Sequence, residues 1–79
     1  MNGRIRVFVN ERPVDLREGA DVGEAVHAAD PSLSEKVAAG SAYVTDGRGI
    51  EIDPAVRLAG GSILRVVVRS RRGSSDADA

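Results

Sequence analysis

The chain has 79 residues, 42% of them hydrophobic, and a formal net charge of -1 at pH 7. This length fits one small domain with one modest core, and the near-zero charge argues against a polyanion binder. No cysteine is present, which excludes a disulfide framework, a thiolate metal site and a cysteine nucleophile. No stretch approaches the roughly 20 apolar residues that span a bilayer, so we expect a cytoplasmic protein without a membrane partner.

The first predicted element is a β-hairpin. Residues 4–9 alternate apolar and other side chains with a period of two, which is typical of a half-buried strand. Residues 10–13 predict a turn, because asparagine tolerates left-handed backbone geometry. Residues 14–16 predict a short second strand, and Pro13 places it at an edge of the sheet because proline interrupts a central ladder.

A helix is predicted after the hairpin. Asp21 followed by Glu24 forms the pattern of a capping box, which indicates the start of a helix. The next apolar residues recur at the i, i+3, i+4, i+7 spacing of one helix face: Val22, Ala25, Val26 and Ala29. The helix should end before Pro31, and residues 32–38 predict a second helical turn.

A second hairpin is predicted downstream of the helical region. Residues 42–44 form a short strand, residues 46–49 supply the turn, and residues 50–52 form the returning strand. We expect Val56 and Leu58 to reach the core from the loop that follows.

The last predicted strand, residues 63–69, is the longest apolar and β-branched run in the chain. Such a run indicates a strand that is covered on both faces, and the simplest packing puts it in the centre of the sheet, parallel to the first strand. The element order β-β-α-β-β-β predicts an α+β domain with a mixed sheet and one main helix. We place this domain at residues 1–73 and a flexible C-terminal tail at residues 74–79.

Two short motifs carry a resemblance to a known family. Residues 7–10 read V-F-V-N and residues 58–64 read L-A-G-G-S-I-L, with the predicted helix between them. In this order they resemble the "V-x-V-N-G" and "L-x-x-G-D-x-I" motifs of the ubiquitin-like sulfur carriers of thiamine and molybdopterin biosynthesis, with Ser62 where aspartate is usual. The resemblance implies a β-grasp fold with the helix packed across the sheet.

The resemblance also implies a function for the tail. Family members end in Gly-Gly, and the same count of residues beyond Gly61 ends here at Gly73. After removal of residues 74–79, the Gly73 carboxylate would be adenylated and thiocarboxylated by an E1-like enzyme. The chain departs from the family because Arg72 occupies the penultimate glycine position and six further residues follow. Three arginines are expected to help dock the tail: Arg69, Arg71 and Arg72.

The alternative is an interaction module of carrier descent, without tail chemistry. Phe8 points away from the side of the strand that Val7 and Val9 occupy, and we expect Phe8 and Val66 to form an exposed partner-binding face. The competing possibility is that the second hairpin partly covers this face. In either case we expect a monomer.

An enzyme is not expected, and no residue is assigned as catalytic, cofactor-binding or metal-ligating. His27 is the only histidine and lacks a nucleophile and an orienting partner in the sequence. The acidic residues do not recur at metal-ligand spacing. The cluster of arginines near the last strand lacks interleaved aromatic residues, which argues against nucleic acid as a partner.

Overall fold

The computed structural model describes residues 3–69, and within them the chain forms a small α+β fold with a mixed five-stranded sheet and two helices. The elements are β1 (Arg4–Val9), β2 (Arg12–Arg17), α1 (Val22–Ala29), α2 (Pro31–Ala38), β3 (Ala42–Asp46), β4 (Glu51–Ile52) and β5 (Ile63–Val68). The strand order is β2-β1-β5-β3-β4. β1 and β5 are parallel, and the other pairs are antiparallel.

The predicted opening hairpin is confirmed, with β2 at an edge of the sheet. Its turn consists of Asn10 and Glu11, whose φ angles of 51° and 71° belong to a type I′ turn. β2 is longer than predicted and includes Pro13. In a two-residue hairpin the closing pair is hydrogen-bonded, so the backbone groups of Pro13 point away from β1 and the missing N–H removes no ladder bond.

The predicted helix is confirmed as α1, and both halves of its capping box are present. The N–H of Glu24 donates to Asp21 Oδ1 at 2.8 Å, and the N–H of Asp21 donates to Glu24 Oε1 at 3.1 Å. The predicted helical turn is a complete second helix, α2, with Pro31 in its first turn. Proline suits this position because its missing N–H would have no partner there.

The second hairpin begins as predicted, but β3 extends to Asp46 and β4 has only two residues. The carboxylate of Asp46 organises the turn, because Oδ1 accepts from the N–H of Arg48 at 2.8 Å and of Ile50 at 3.0 Å. The expectation that Val56 fills the core is wrong, since its side chain is 45% exposed. Its carbonyl accepts from the N–H of Val22 at 2.9 Å, so backbone contact holds this loop to α1. Leu58 does pack against the core.

The core lies on one face of the sheet only. Strand residues pack there against α1. The largest fully buried side chains, from strands and helix together, are Leu64, Val7, Val9, Val22, Val26 and Val44. The predicted central position of β5, parallel to β1, is confirmed. The expectation that both of its faces are covered is wrong, because both helices contribute to the same core and neither covers the other face.

Candidate partner-binding surface

The sheet face opposite the helices, here called the open face, carries a row of exposed side chains along β5. The row consists of Ile63, Arg65 and Val67, which alternate with the buried side of the strand. Phe8 is the neighbour of Ile63 on β1, and Tyr43 is the neighbour of Val67 on β3. Phe8, Ile63 and Val67 are 36%, 53% and 38% exposed. The surface therefore has two apolar ends, about 13 Å apart by strand geometry, with an arginine between them.

The charges on this face are partly paired. Arg6 and Asp15 face each other across β1 and β2, and Arg6 Nε donates to Asp15 Oδ1 at 2.9 Å. This hydrogen bond lowers the pKa of the Asp15 carboxyl, and the same contact raises the pKa of Arg6. No salt bridge formed within residues 3–69 includes Arg65. The centre of the row therefore presents a guanidinium that suits an acidic group on a partner.

Val66 does not share a face with Phe8, which corrects the surface expected from the sequence. Leu64 pairs with Val9, and both are buried. Val66 follows Leu64 by two residues, lies opposite Val44 and packs against the core. The residues that accompany Phe8 are Ile63 and Val67, which the sequence argument missed because the face of β5 depends on its register with β1.

Arg69 fixes the place at which the chain leaves the sheet. Its N–H donates to the carbonyl of Ser41 at 2.7 Å, and its Nε donates to the carbonyl of Gly40 at 3.2 Å. Its guanidinium carbon lies 4.6 Å from the centroid of the Tyr43 ring, within the range of a cation–π contact. The side chain predicted to dock a tail onto a partner is thus held against the protein's own β3. The rest of the predicted tail lies outside the described residues, namely Arg71, Arg72, Gly73 and the predicted domain boundary between residues 73 and 74.

Other parts of the described surface carry fewer features that indicate a function. A groove of about 390 Å³ lies at the end of the sheet where the β3–β4 turn meets the loop before β5, with Arg48 and Arg57 beside apolar Val56 and Leu58. Between residues 3 and 69, no three His, Cys, Asp or Glu side chains converge as metal ligands would. In the same part of the chain, neither α1 nor α2 has the length and apolar composition that crossing a bilayer requires.

Comparison of the chain with protein-family models, with curated proteins and with solved structures finds no match in any of the three. The geometry of the open face and of the exit at Arg69 is therefore the basis on which a function is inferred.

Proposed function

We propose that this chain is a non-catalytic β-grasp protein that acts by being bound by a protein partner through its open face. The observation that carries the proposal is the exposure of Phe8, Ile63 and Val67 on a sheet face that neither helix covers. A central parallel pair of strands with the helices on one side is the arrangement that the β-grasp resemblance implies. Exposed apolar groups clustered on such a face are typical of protein interfaces.

The free energies of apolar burial and of association indicate what kind of partner this face suits. Complete burial of a large apolar side chain contributes about 1.5–3 kcal/mol, and these three are already partly buried, so together they have roughly 3 kcal/mol left to gain. Association costs at least about 4 kcal/mol in lost translational and rotational freedom. The three side chains of this chain do not offset that cost by themselves, and a partner that also engages Arg65 gains a charge-assisted contact. A partner with an acidic group between two apolar contacts combines these contributions.

The test compares neighbouring residues on opposite faces of β5. Val67 and Val68 are β-branched, adjacent and similarly exposed, at 38% and 46%. A photo-crosslinking residue at position 63 first identifies the partner in cells that make the protein. We then expect Val67→Ser and Arg65→Ala to weaken binding of that partner by about 10-fold each, about 1.4 kcal/mol, and Val68→Ser to leave it unchanged. Equal affinity for all three variants would overturn the proposal.

A second candidate, the sulfur carrier, is favoured by the position of β5. A central strand followed by the anchored Arg69 would deliver the residues beyond it from a fixed point. In this function, the Gly73 carboxylate attacks the α-phosphate of ATP on an E1-like adenylating enzyme and releases pyrophosphate. Sulfide supplied by a donor then attacks the acyl carbon of the adenylate, the bond to the phosphate of AMP breaks, and the C-terminus becomes a thiocarboxylate. Gly73 must be terminal for this step, so residues 74–79 would first be removed by hydrolysis of the peptide bond after Gly73.

The carrier function is tested with chains of defined length. A chain that ends at Gly73 is incubated with ATP and a sulfur-carrier-type adenylating enzyme, and pyrophosphate release and intact mass are measured. We expect an adenylate only when Gly73 is terminal. Arg72→Gly should accelerate the reaction, because a residue without a Cβ lets the backbone approach more closely in a narrow channel. Equal inactivity of the full chain, the shortened chain and its Arg72→Gly variant would exclude this candidate.

A further inference from the structure

The groove of about 390 Å³ lies at the end of the sheet where β5 begins. Its apolar lining includes Val56, Leu58 and Ile63, and of these Val56 and Ile63 are 45% and 53% exposed. The volume is within the range of ligand-binding clefts, roughly 300–1,000 Å³. Arg69 lies at the other end of β5, about 20 Å away by strand geometry, so the groove is far from the end of the described chain.

The groove begins where the backbone ladder between β3 and β5 ends. The N–H of Arg69 donates to the carbonyl of Ser41, and hydrogen-bonded pairs recur at every second residue from there. Gly47 and Ile63 would form the last such pair, but no backbone hydrogen bond within residues 3–69 joins them. They are nevertheless close, since a methyl group on Gly47 would lie 3.5 Å from the Cβ of Ile63. The N–H of Ile63, which the alternation of the ladder directs towards β3, is therefore left as a donor at the groove.

Three charged residues of the described chain line the groove: Arg48, Arg57 and Asp46. The aspartate is engaged within its own turn, because Oδ1 accepts from two backbone N–H groups and Oδ2 lies 3.5 Å from Arg48 Nη2. No salt bridge formed within residues 3–69 includes Arg57. The groove therefore has a net positive charge, and no carboxylate of the described chain is paired with the Arg57 guanidinium.

The backbone of Arg57 is held on both sides. The N–H of Leu58 donates to the carbonyl of Ala20 at 2.9 Å, and the carbonyl of Val56 accepts from the N–H of Val22 at 2.9 Å. The arginine side chain therefore extends from a fixed point, which lowers the cost of ordering the loop when a ligand binds.

We propose that this groove binds an extended segment of a protein partner in which an acidic side chain lies next to apolar ones. The carboxylate bonds to the Arg57 guanidinium, and the apolar side chains pack on Val56 and Ile63. Charge complementarity selects this occupant, because a guanidinium matches a carboxylate with two parallel hydrogen bonds and apolar surface is exposed beside it. The groove shares Ile63 with the open face but is not lined by Arg65, so the inference does not depend on either function proposed above.

An NMR titration of the isotope-labelled full chain with short peptides tests the proposal. The first peptide has blocked ends, one glutamate flanked by leucines, and serines at both ends, and the second has glutamine in place of the glutamate. We expect the first peptide, at millimolar concentration, to shift the amide signals of Arg57, Leu58 and Ile63. The second peptide should bind about 10-fold more weakly, and so should the first peptide to the Arg57→Gln variant, because each change removes a charge-assisted hydrogen bond.

Two control variants locate the effect. Arg12→Gln makes the same charge change at an exposed position of β2 outside the groove and should leave the affinity for the first peptide unchanged. Val67→Ser changes the open face alone and should also leave it unchanged, which separates a failure of the groove from a failure of the open face.

Equal affinity of the first peptide for the wild type and for Arg57→Gln would overturn the proposal, and so would the absence of shifts at the groove. Displacement of the peptide by inorganic phosphate at equal concentration would overturn it as well, because the groove would then select an oxyanion and not an acidic, apolar segment.

Discussion

The two faces of β5 carry similar aliphatic side chains and have opposite surroundings. Leu64 is 1% exposed beneath the helices, whereas its neighbour Ile63 is more than half exposed on the open face. The difference arises because α1 and α2 contribute to one core on one side of the sheet. An apolar, β-branched run therefore indicates a strand, but the number of its faces that are buried depends on what packs against it.

The largest expected effect is the difference in the free energy of unfolding between variants of Leu64 and Ile63. Leu64→Ala should lower the free energy of unfolding by about 2–5 kcal/mol, because it leaves a cavity in the core. Ile63→Ala should lower it by about 1 kcal/mol or less, since it removes only partly buried surface and some β-propensity. Urea unfolding followed by circular dichroism measures both. Similar losses for the two variants would show that the open face is covered in solution.

The second prediction concerns the N-terminus of α1, the helix that packs on the buried face of the sheet. Asp21→Ala removes the cap of α1 and should lower the free energy of unfolding by about 0.5–2 kcal/mol. Asp21→Ser keeps an oxygen that can accept from the N–H of Glu24, so it should retain most of the stability. Thermal and urea unfolding of both variants provide the measurement. A serine variant as unstable as the alanine variant would contradict the capping explanation.

The third prediction concerns the point where β5 loses its β1 partner. Asn10→Gly keeps the left-handed backbone, which asparagine and glycine both adopt readily, but removes the acceptor for the N–H of Val66. We expect a loss of about 0.5–1.5 kcal/mol in the free energy of unfolding. Asn10→Asp keeps an acceptor oxygen and serves as the control. Unchanged stability and unchanged exchange of the Val66 N–H in Asn10→Gly would refute the role given to this side chain.

The smallest expected effect concerns the β3–β4 turn and depends on pH. The hydrogen bond from the N–H of Ile50, together with that from Arg48, lowers the pKa of the Asp46 carboxyl. Because the folded pKa is below the unfolded value of about 4, the carboxylate stabilises the fold above that pH and this contribution is lost as the pH falls through the folded pKa. The stability advantage of the wild type over Asp46→Asn should therefore be full at pH 7 and shrink below about pH 4.

Asparagine is a suitable replacement because both backbone bonds go to the same oxygen, Oδ1, which it retains. Glu35→Gln on α2 controls for the change in net charge. The difference in stability between the wild type and this variant should not shrink in the same way as the pH falls. Urea unfolding across this pH range makes the comparison. A difference between wild type and Asp46→Asn that stays constant from pH 7 to pH 3 would contradict the assignment.

Several local features could be predicted because their causes are local. The left-handed turn at Asn10 and the capping box of Asp21 and Glu24 each depend on residues within a few positions of one another. The bounds of α2 differ from the predicted residues 32–38 by one residue, because Pro31 is itself the first residue of this helix. The exposure of Val56 could not be predicted, because it depends on how a loop lies against α1.

The candidate surface was predicted in part. Phe8 was singled out by the alternation of β1, and its exposure agrees with that argument. The partner chosen for it on β5 was wrong, since a shift of one residue in register exchanges the two faces of a strand. The pairing of Phe8 with Ile63 is a relation between residues 55 positions apart, and no local signal specifies it.

By itself, the sequence determined the strands, the start of α1 and the turns, because backbone sterics, capping and side-chain period act over a few residues. Only the tertiary structure decided which side of the sheet is covered, which side chains of β5 stand beside Phe8, and where the ladder of β5 loses its partner. Those outcomes depend on register and on the placement of two short helices, which are fixed by contacts between distant parts of the chain.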